Sequence, residues 1–291
     1  MEHVNNLREE RMIKVLFFDL DGTLLNSKTE ISDKTRTALK QCVEKGYKLF
    51  IATARPPLLN RMLPNQANWD EDILADTLSL FTGGVYYNGG CIKIENIKEY
   101  IFIPDEIVKK IISIVQNYEK INIALQFKDE KHAFRFPLED KEYKRWGVAA
   151  DEVLTLNQTN DMNAVKILIF YSSLVNSVLP IDEKLVSELK LICADNAQFC
   201  VTDKSTCVQI MGKDVSKFSG IEKIRERYGF KKDEIAVFGD DTNDMEMLME
   251  YPFSIAMGNA EPQVKAVAKY VTSDNNNDGI HEAIYNILNL L

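Results

Sequence analysis

Residues 15–18 form an uninterrupted apolar run that ends abruptly at Asp19 and Asp21, followed by Gly22. A run without polar alternation is typical of a parallel strand that is covered on both faces. Gly22 gives the backbone the freedom to turn away after the second carboxylate. We therefore predict a buried strand that presents Asp19 and Asp21 on the same side of its carboxyl end. The alternative is that these residues form only a solvated turn.

Two neighbouring carboxylates repel each other, so a stable fold needs a cation or a shared proton between Asp19 and Asp21. Mg²⁺ meets this need, because it prefers oxygen ligands and often completes its shell with a substrate phosphate. The first motif therefore predicts a magnesium site at the end of a strand.

A second strand is predicted at residues 48–55, after a helix that begins behind Ser32 and ends at Gly46. A strand, a helix and a strand at this spacing form a right-handed parallel unit. Thr53 should then lie beside the first carboxylates, at the edge where open parallel sheets bind ligands. Its hydroxyl and the next backbone amide could hold a phosphate oxygen, although Thr is also simply a good strand residue.

A second acidic strand end follows the apolar residues 234–238, where Asp240 and Asp244 lie within the sequence Gly-Asp-Asp-Thr-Asn-Asp. Four converging carboxylates would oppose folding without a cation, so we expect Asp240 to bind the metal directly and Asp244 to act as a direct or an outer ligand. The alternative is a loop that caps a helix through Thr242 or Asn243. Lys217 lies at the start of the helix that precedes this strand. Its positive charge could balance the negative charges of an attacking carboxylate and of a phosphate.

The length of 291 residues favours two domains over one. Residues 90–210 predict helices and paired strands without strict alternation, beginning with a hairpin at residues 91–103, which is typical of an α+β insertion. We predict an α/β core made of residues 12–89 and 211–291, with residues 90–210 inserted as a second domain. Residues 1–11 are predicted to be a disordered extension.

Composition argues against several classes of partner. The net charge of -9 disfavours nucleic acid as a partner, since phosphate backbones are bound by surplus Lys and Arg. The 5 cysteines show no metal-binding spacing and are expected to be reduced thiols of a cytoplasmic protein. No apolar run approaches the roughly 18 residues that a membrane helix requires. A small phosphorylated molecule is the expected partner, and the oligomeric state is left open.

Together these motifs resemble those of the haloacid dehalogenase superfamily of phosphohydrolases. The insertion, which is entered through Asn88-Gly89-Gly90, resembles the type IIB cap of its Cof-like branch. The resemblance implies a Rossmann-like parallel-sheet core with an inserted α+β cap domain. The motif residues, in chain order, are Asp19-Leu20-Asp21-Gly22-Thr23, Thr53, Lys217 and Gly239-Asp240 with Asn243-Asp244.

The resemblance also implies roles for these residues. Asp19 would attack phosphorus and form an aspartyl-phosphate, and Asp21 would act as the general acid and then the general base. Mg²⁺ would be held by the Asp19 carboxylate, the Asp21 backbone carbonyl and Asp240. The phosphate oxygens would be held by Thr53, Lys217, Asn243 and the backbone around Leu20 and Ala54.

Two residues depart from the family pattern, since Ala54 and Phe218 stand where relatives usually have Gly. Ala54 keeps its backbone amide, whereas the bulk of Phe218 puts the geometry around Lys217 in question. The cap residues that are candidates for substrate contact are His132, Arg135, Lys144, Arg145 and Trp146, although such residues are more often surface charges or core aromatics.

The sequence thus predicts a Mg²⁺-dependent phosphatase of small phosphorylated metabolites, with sugar phosphates as the leading class. The alternatives are a sugar phosphomutase, which would protect its phosphoenzyme from water, and a non-catalytic module that binds phosphorylated metabolites.

Overall fold

The computed structural model describes residues 13–159, 163–172, 179–202 and 205–291. The predicted disordered extension, residues 1–11, lies outside these ranges. The strands, numbered in chain order, are β1 (Val15–Phe18), β2 (Lys48–Ala52), β3 (Phe81–Tyr86), β4 (Cys91–Ile94), β5 (Ile97–Tyr100), β6 (Ile121–Phe127), β7 (His132–Phe134), β8 (Leu154–Thr155), β9 (Ala164–Tyr171), β10 (Ala197–Thr202), β11 (Cys207–Gly212), β12 (Ile235–Gly239), β13 (Phe253–Ala256) and β14 (Tyr270–Val271). The α-helices are α1 (Asp33–Glu44), α2 (Leu59–Met62), α3 (Glu71–Ser79), α4 (Asp105–Val115), α5 (Asp140–Arg145), α6 (Glu183–Cys193), α7 (Lys217–Tyr228), α8 (Met245–Glu250), α9 (Pro262–Val267) and α10 (Gly279–Glu282).

Within the described ranges the strands form two sheets. The main sheet has 8 strands in the order β14-β13-β12-β1-β2-β3-β4-β5, and the inserted sheet has 6 in the order β10-β11-β9-β6-β7-β8. The strands from β14 to β3 pair in parallel, whereas β4 and β5 are antiparallel additions at one edge. The α/β class, with a parallel-sheet core and an inserted α+β unit, is as predicted.

Strand β1 lies in the middle of the main sheet, between β12 and β2. All of its side chains are buried, which explains why the sequence shows no polar alternation there. Because β12, β1 and β2 run parallel, their carboxyl ends meet at one edge of the sheet. The pairing therefore brings Asp19, Thr53 and Asp240 to the same edge, where open parallel sheets bind ligands.

The antiparallel hairpin β4–β5 belongs to the main sheet, because β4 pairs with β3 from Tyr86↔Cys91 to Gly83↔Ile94. This hairpin was predicted to be part of the insertion, whereas its strand β4 pairs with the main sheet. An alternating hairpin pattern carries no information about which sheet it joins, since pairing is decided by tertiary contacts. We propose domains in which the main sheet includes residues 91–100 and the insertion starts after them.

The inserted sheet has one apolar face and one more polar face. Ile123 and Leu125 of β6 belong to the hydrophobic cluster that also contains buried residues of α4 and α6. Residues at alternate positions of β6, β9 and β11 point to the opposite face and include Gln126, Lys166 and Gln209, all of which are buried. This polar face meets the main sheet, since Lys166 Nζ donates to the Ala54 carbonyl (2.8 Å) and Asn88 Nδ2 donates to Gln209 Oε1 (3.0 Å).

Local signals account for most of the helix starts. Ser32 accepts a hydrogen bond from the Thr35 amide at the start of α1, and Ser216 caps α7 in the same way through the Ser219 amide. Because Ser216 is the N-cap residue, Lys217 is the first residue of α7. Elements that the sequence analysis missed are α2, α5 and β8, each of 6 residues or fewer. Within the described residues no helix has the length and hydrophobicity needed to cross a bilayer.

Candidate active site

Asp19, Lys217 and Asp244 form a buried cluster of charges below the carboxyl edge of the main sheet. Lys217 Nζ donates to Asp19 Oδ1 and to Asp244 Oδ1, both at 2.6 Å. The other carboxylate oxygen of Asp244 accepts from the backbone amides of Asp240 (3.0 Å) and Asp241 (3.1 Å). Asp244 thus fixes Lys217 and the loop after β12 at once, which orients Lys217 toward Asp19.

The electrostatics of the cluster follow from burial and proximity. Burial would lower the pKa of Lys217, but Asp19 and Asp244 outweigh it and raise that pKa above its ordinary value, so the ammonium stays charged. Burial raises the pKa of the Asp19 carboxyl well above its usual range, with Lys217 acting in the opposite direction and Asp244 adding to the rise. One ammonium therefore does not fully compensate the carboxylates gathered here.

Asp240 completes the acidic cluster. Burial raises the pKa of its carboxyl to about 7, with the Thr23 hydroxyl opposing the rise and Asp244 reinforcing it. Thr23 Oγ1 donates to Asp240 Oδ1 (2.8 Å), and Asn259 Nδ2 donates to Asp240 Oδ2 (3.2 Å). Gly22, at φ 80°, leaves room for this carboxylate, because a Cβ there would collide with it.

The donor set fits a divalent cation. Among the described residues, Asp19, Asp240 and Asp244 each offer one carboxylate oxygen, and these three atoms lie within 4.8 Å of one another. Hard cations such as Mg²⁺ take oxygen ligands of this kind. A cation there would also favour the ionised forms of Asp19 and Asp240, whose pKa values are raised mainly by burial.

Asp21 has a different environment, since its carboxylate is paired with Arg55. Arg55 Nε donates to Asp21 Oδ2 (2.7 Å) and Arg55 Nη2 donates to Asp21 Oδ1 (2.5 Å), in the two-pronged geometry of an arginine–carboxylate pair. Arg55 was not among the site residues predicted from the sequence. A signal was available, because Arg55 lies two residues beyond the strand-end Thr53 and therefore at the same edge of the sheet.

A cavity of about 360 Å³ opens between the main sheet and the inserted sheet. Four of the predicted site residues line it, namely Asp19, Asp21, Ala54 and Asn243. The other predicted phosphate-binding residues, Leu20, Thr53 and Lys217, are buried. Thr53 Oγ1 accepts from the Arg55 amide (3.1 Å), and Asn243 Nδ2 donates to Asn88 Oδ1 (3.1 Å). A volume of this size suits one small molecule.

Comparison with known proteins gives the family of the chain. The family model described as haloacid dehalogenase-like hydrolase matches residues 16–284. The chain belongs to the haloacid dehalogenase-like hydrolases. The match covers both sheets and every motif residue of the candidate site.

Relatives of this hydrolase extend over nearly the whole chain. The 5-amino-6-(5-phospho-D-ribitylamino)uracil phosphatase YcsE of Bacillus subtilis is 26% identical over 95% of this chain and 96% of its own. The structure of the subclass IIB sugar phosphatase BT4131 is similar with a TM-score of 0.77 at 25% identity, covering 94% of this chain and 98% of that chain. A haloacid dehalogenase-like hydrolase from Bacteroides thetaiotaomicron gives a TM-score of 0.76 at 26% identity, with 94% and 99% coverage. The resemblance to a phosphatase with a type IIB cap is confirmed, and the chain is a phosphatase of this family.

The departure at Phe218 does not disturb Lys217 in this hydrolase. The Phe218 ring packs edge-on against Tyr251, with centroids 5.9 Å apart, and Lys232 Nζ lies 5.1 Å from its centroid. The ring therefore occupies the hydrophobic cluster on one side of the main sheet. Lys217 keeps its hydrogen bonds to both carboxylates.

The candidate cap residues lie in different parts of the structure. Arg145 and Trp146 line the cavity. Arg135 does not, because its guanidinium donates to carbonyls at and just beyond the end of α4, including those of Val115 (2.6 Å) and Tyr118 (2.8 Å). Lys144 is exposed at a different depression of the surface. His132 is fully buried and contacts Gln126, a cavity-lining residue that the sequence analysis missed.

The buried imidazole of His132 is expected to make the stability of the protein depend on pH. Burial lowers the pKa of His132 from 6.5 to about 4, with the Glu130 carbonyl acting in the opposite direction. The unfolded chain therefore takes up a proton between pH 6.5 and 4 that the folded chain does not, so stability falls as the pH decreases through this window and levels off below it. The corresponding loss is about 3 kcal/mol.

Urea unfolding of the wild type and of His132→Gln at several pH values measures this loss. We expect the unfolding free energy of the wild type to fall by about 3 kcal/mol more than that of the variant on acidification from neutral pH. Parallel pH dependences for the two proteins would contradict the assignment of a neutral, buried imidazole.

Proposed function

We propose that this hydrolase is a cytoplasmic, Mg²⁺-dependent phosphatase of small phosphorylated metabolites, with sugar phosphates as the leading class. One observation carries the proposal: Asp19 lines the cavity while its carboxylate is bound by the buried ammonium of Lys217 and lies beside Asp240 and Asp244. Cys42, Cys91 and Cys193 are buried thiols, which supports a reducing compartment.

In the first step Asp19 attacks the phosphorus of the ester. A bond forms between the Asp19 oxygen and phosphorus, and the bond from phosphorus to the alcohol oxygen breaks. Asp21 donates its proton to the departing oxygen, which leaves as an alcohol. In the second step Asp21 takes a proton from water, the water oxygen bonds to phosphorus, and the Asp19 carboxylate is released with inorganic phosphate.

Arg55 must release Asp21 before this proton transfer. The guanidinium of Arg55 binds both carboxylate oxygens of Asp21, whereas the first step needs one of these oxygens to reach the departing alcohol oxygen. The phosphate group of an incoming ester offers Arg55 an alternative anionic partner in the same cavity, which both residues line. Substrate entry would thus free Asp21 at the moment when its proton is required.

The remaining phosphate oxygens would be held by Thr53, Lys217, Asn243 and the backbone amides around Leu20 and Ala54. Asp19, the Asp21 backbone carbonyl and Asp240 would hold Mg²⁺, and Asp244 would support or join them. When bound, the ion supplies positive charge that offsets the repulsion between an anionic nucleophile and an anionic phosphate. Such positioning and charge compensation are most of what phosphoryl transfer requires of a protein.

Two relatives support the proposal that sugar phosphates are the leading class of substrate. The relative YcsE is a phosphatase of a phosphoribityl compound, and BT4131 is a sugar phosphatase. In both names the phosphate is carried by a hydroxylated carbon chain, and the cavity of about 360 Å³ in this chain is large enough for a molecule of that size.

Removal of the metal is expected to abolish activity. We expect phosphate release from a panel of sugar phosphates and nucleotides to fall by about 100-fold or more in a chelator and to recover on addition of excess Mg²⁺. The release is measured as inorganic phosphate over time. Equal rates with chelator and with Mg²⁺ would contradict the metal dependence.

Two other outcomes would replace the proposal. A stable phosphoenzyme that turns over only with a bisphosphate would indicate a phosphomutase. A folded, Mg²⁺-binding protein that releases phosphate from no ester would indicate a non-catalytic binding module.

A further inference from the structure

We propose that Gln126 determines which phosphate esters this enzyme accepts, by receiving a hydrogen bond on its Oε1 atom from a hydroxyl of the alcohol part. The inference rests on the proposed phosphatase function and goes beyond it, because it assigns substrate recognition to one side chain of the inserted sheet.

Gln126 lies where a specificity residue has to be. It belongs to β6, and its side chain is on the face of the inserted sheet that meets the main sheet. Only 2% of its surface is exposed, and it lines the same cavity as Asp19 and Asp21. An ester whose phosphate is at Asp19 therefore extends its alcohol part into a space that Gln126 borders.

The orientation of the Gln126 amide is fixed by His132. His132 Nδ1 lies 2.9 Å from the Glu130 carbonyl oxygen, which can only accept, so Nδ1 carries the proton. The imidazole is neutral because burial lowers its pKa to about 4, so its Nε2 is an acceptor. The partner of Nε2, at 2.8 Å, must then be the amide nitrogen of Gln126 rather than its oxygen. The His132 ring is itself held edge-on by Trp146, with centroids 5.8 Å apart.

This arrangement leaves the Gln126 oxygen as an unsatisfied acceptor. Among the described residues, Oε1 of Gln126 is buried and has no hydrogen-bond partner. Buried polar atoms normally have partners, because leaving one unpaired costs the full penalty of its desolvation. A ligand that brings a donor to this atom recovers that penalty, and a ligand without one does not.

The chemistry of the acceptor identifies the part of the ligand that it contacts. A carbonyl oxygen cannot bind the ionised phosphate, which offers only acceptors, so Gln126 must contact the alcohol part. The cavity wall also contains Met62, Trp146 and Leu168, whose apolar surfaces suit the C–H faces of a carbon skeleton. At Gln126 Oε1 a hydroxyl donor therefore fits, whereas a second ionised phosphate, which offers only acceptors, does not.

A scan of deoxy substrates tests the proposal. Initial rates are measured for hexose 6-phosphates and pentose 5-phosphates, for the monodeoxy analogues of the best of these, and for phenyl phosphate as a hydroxyl-free reference. We expect the wild type to lose about 10-fold to 100-fold in kcat/KM at one deoxy position, because a site built for a hydroxyl discriminates against its absence. In Gln126→Leu the loss at that position should disappear, while losses at other positions persist.

Gln198→Leu is the matched control, since Gln198 is an exposed residue of β10 in the same inserted sheet, and it should retain the wild-type pattern. If Gln126→Leu does not fold, Gln126→Met, which keeps the length of the side chain without its polar atoms, takes its place. The proposal would be overturned if removal of each hydroxyl lowered kcat/KM equally in the wild type and in the Gln126 variant. It would also be overturned if removal of no hydroxyl lowered kcat/KM in the wild type.

The two proposals fail in different ways. A wild type that hydrolyses phenyl phosphate but no sugar phosphate overturns the assignment of Gln126 and leaves the phosphatase chemistry at Asp19 standing. A wild type that releases phosphate from no ester, phenyl phosphate included, overturns the proposed function itself.

Discussion

Substitution Asp19→Asn is expected to reduce phosphate release by about 10⁴-fold or more while the protein remains folded. The amide has nearly the same shape as the carboxylate but lacks the anionic oxygen that attacks phosphorus. Its carbonyl oxygen can still accept from Lys217, which lies 2.6 Å from Asp19 Oδ1. Since Asp19 is buried beside two other carboxylates, removal of its charge should not lower the free energy of unfolding.

The measurement is the rate of inorganic phosphate release with Mg²⁺, together with a thermal melt of each protein. Asp233→Asn is the matched control, because Asp233 is an exposed carboxylate that precedes β12. The control should keep wild-type activity. Retention of more than about a tenth of the activity by Asp19→Asn would show that another group is the nucleophile.

Substitution Lys217→Met is expected to damage both stability and activity. The buried ammonium is bound by two carboxylates at 2.6 Å, and its removal leaves Asp19 and Asp244 buried without this counter-charge. Breaking a buried ion pair from one side typically costs about 3–5 kcal/mol of unfolding free energy. Activity should fall by about 10³-fold, because the positioning of Asp19 and a donor to phosphate are lost together.

Lys213→Met is the control, since Lys213 is an exposed lysine four residues earlier in the chain. Chemical denaturation and phosphate release are measured for both variants. Addition of Mg²⁺ should restore part of the stability of Lys217→Met, because a cation would again compensate the carboxylates. A variant as stable and active as the Lys213 control would contradict the charge balance described for this site.

The sequence was most informative where strands end. Residues 15–18 are apolar without alternation because β1 is covered on both faces, and the motif at Asp19 follows at the first position where the sheet stops. The same reasoning placed Thr53 and Asp240 at one edge, since parallel neighbours have their carboxyl ends together. These positions required only strand assignment and the direction of pairing.

Partners of side chains were harder to predict. The pairing of Asp21 with Arg55, and of Asp240 with Thr23 and Asn259, depends on how loops fold back over the sheet edge. The bulk of Phe218 raised a question that only packing against Tyr251 could answer. None of these contacts has a sequence period, so pattern reasoning could name candidates but not partners.

The polar face of the inserted sheet left a signal that the sequence analysis did not use. Gln126, Lys166 and Gln209 are buried polar residues within largely apolar strands. An isolated polar residue in a buried strand needs a partner, because an unpaired buried polar group is costly. These positions would have indicated a polar interior face and therefore a site between two sheets.

The central claim, a covalent intermediate at Asp19, is tested most directly by trapping that intermediate. The enzyme is mixed rapidly with a sugar phosphate and Mg²⁺, quenched, and treated with borohydride, which reduces an acyl phosphate to an alcohol. Mass spectrometry of the peptide that contains residues 15–25 should then find homoserine in place of Asp19, only when substrate and Mg²⁺ are both present. Phosphate release without this conversion, or a conversion at another carboxylate, would contradict the account.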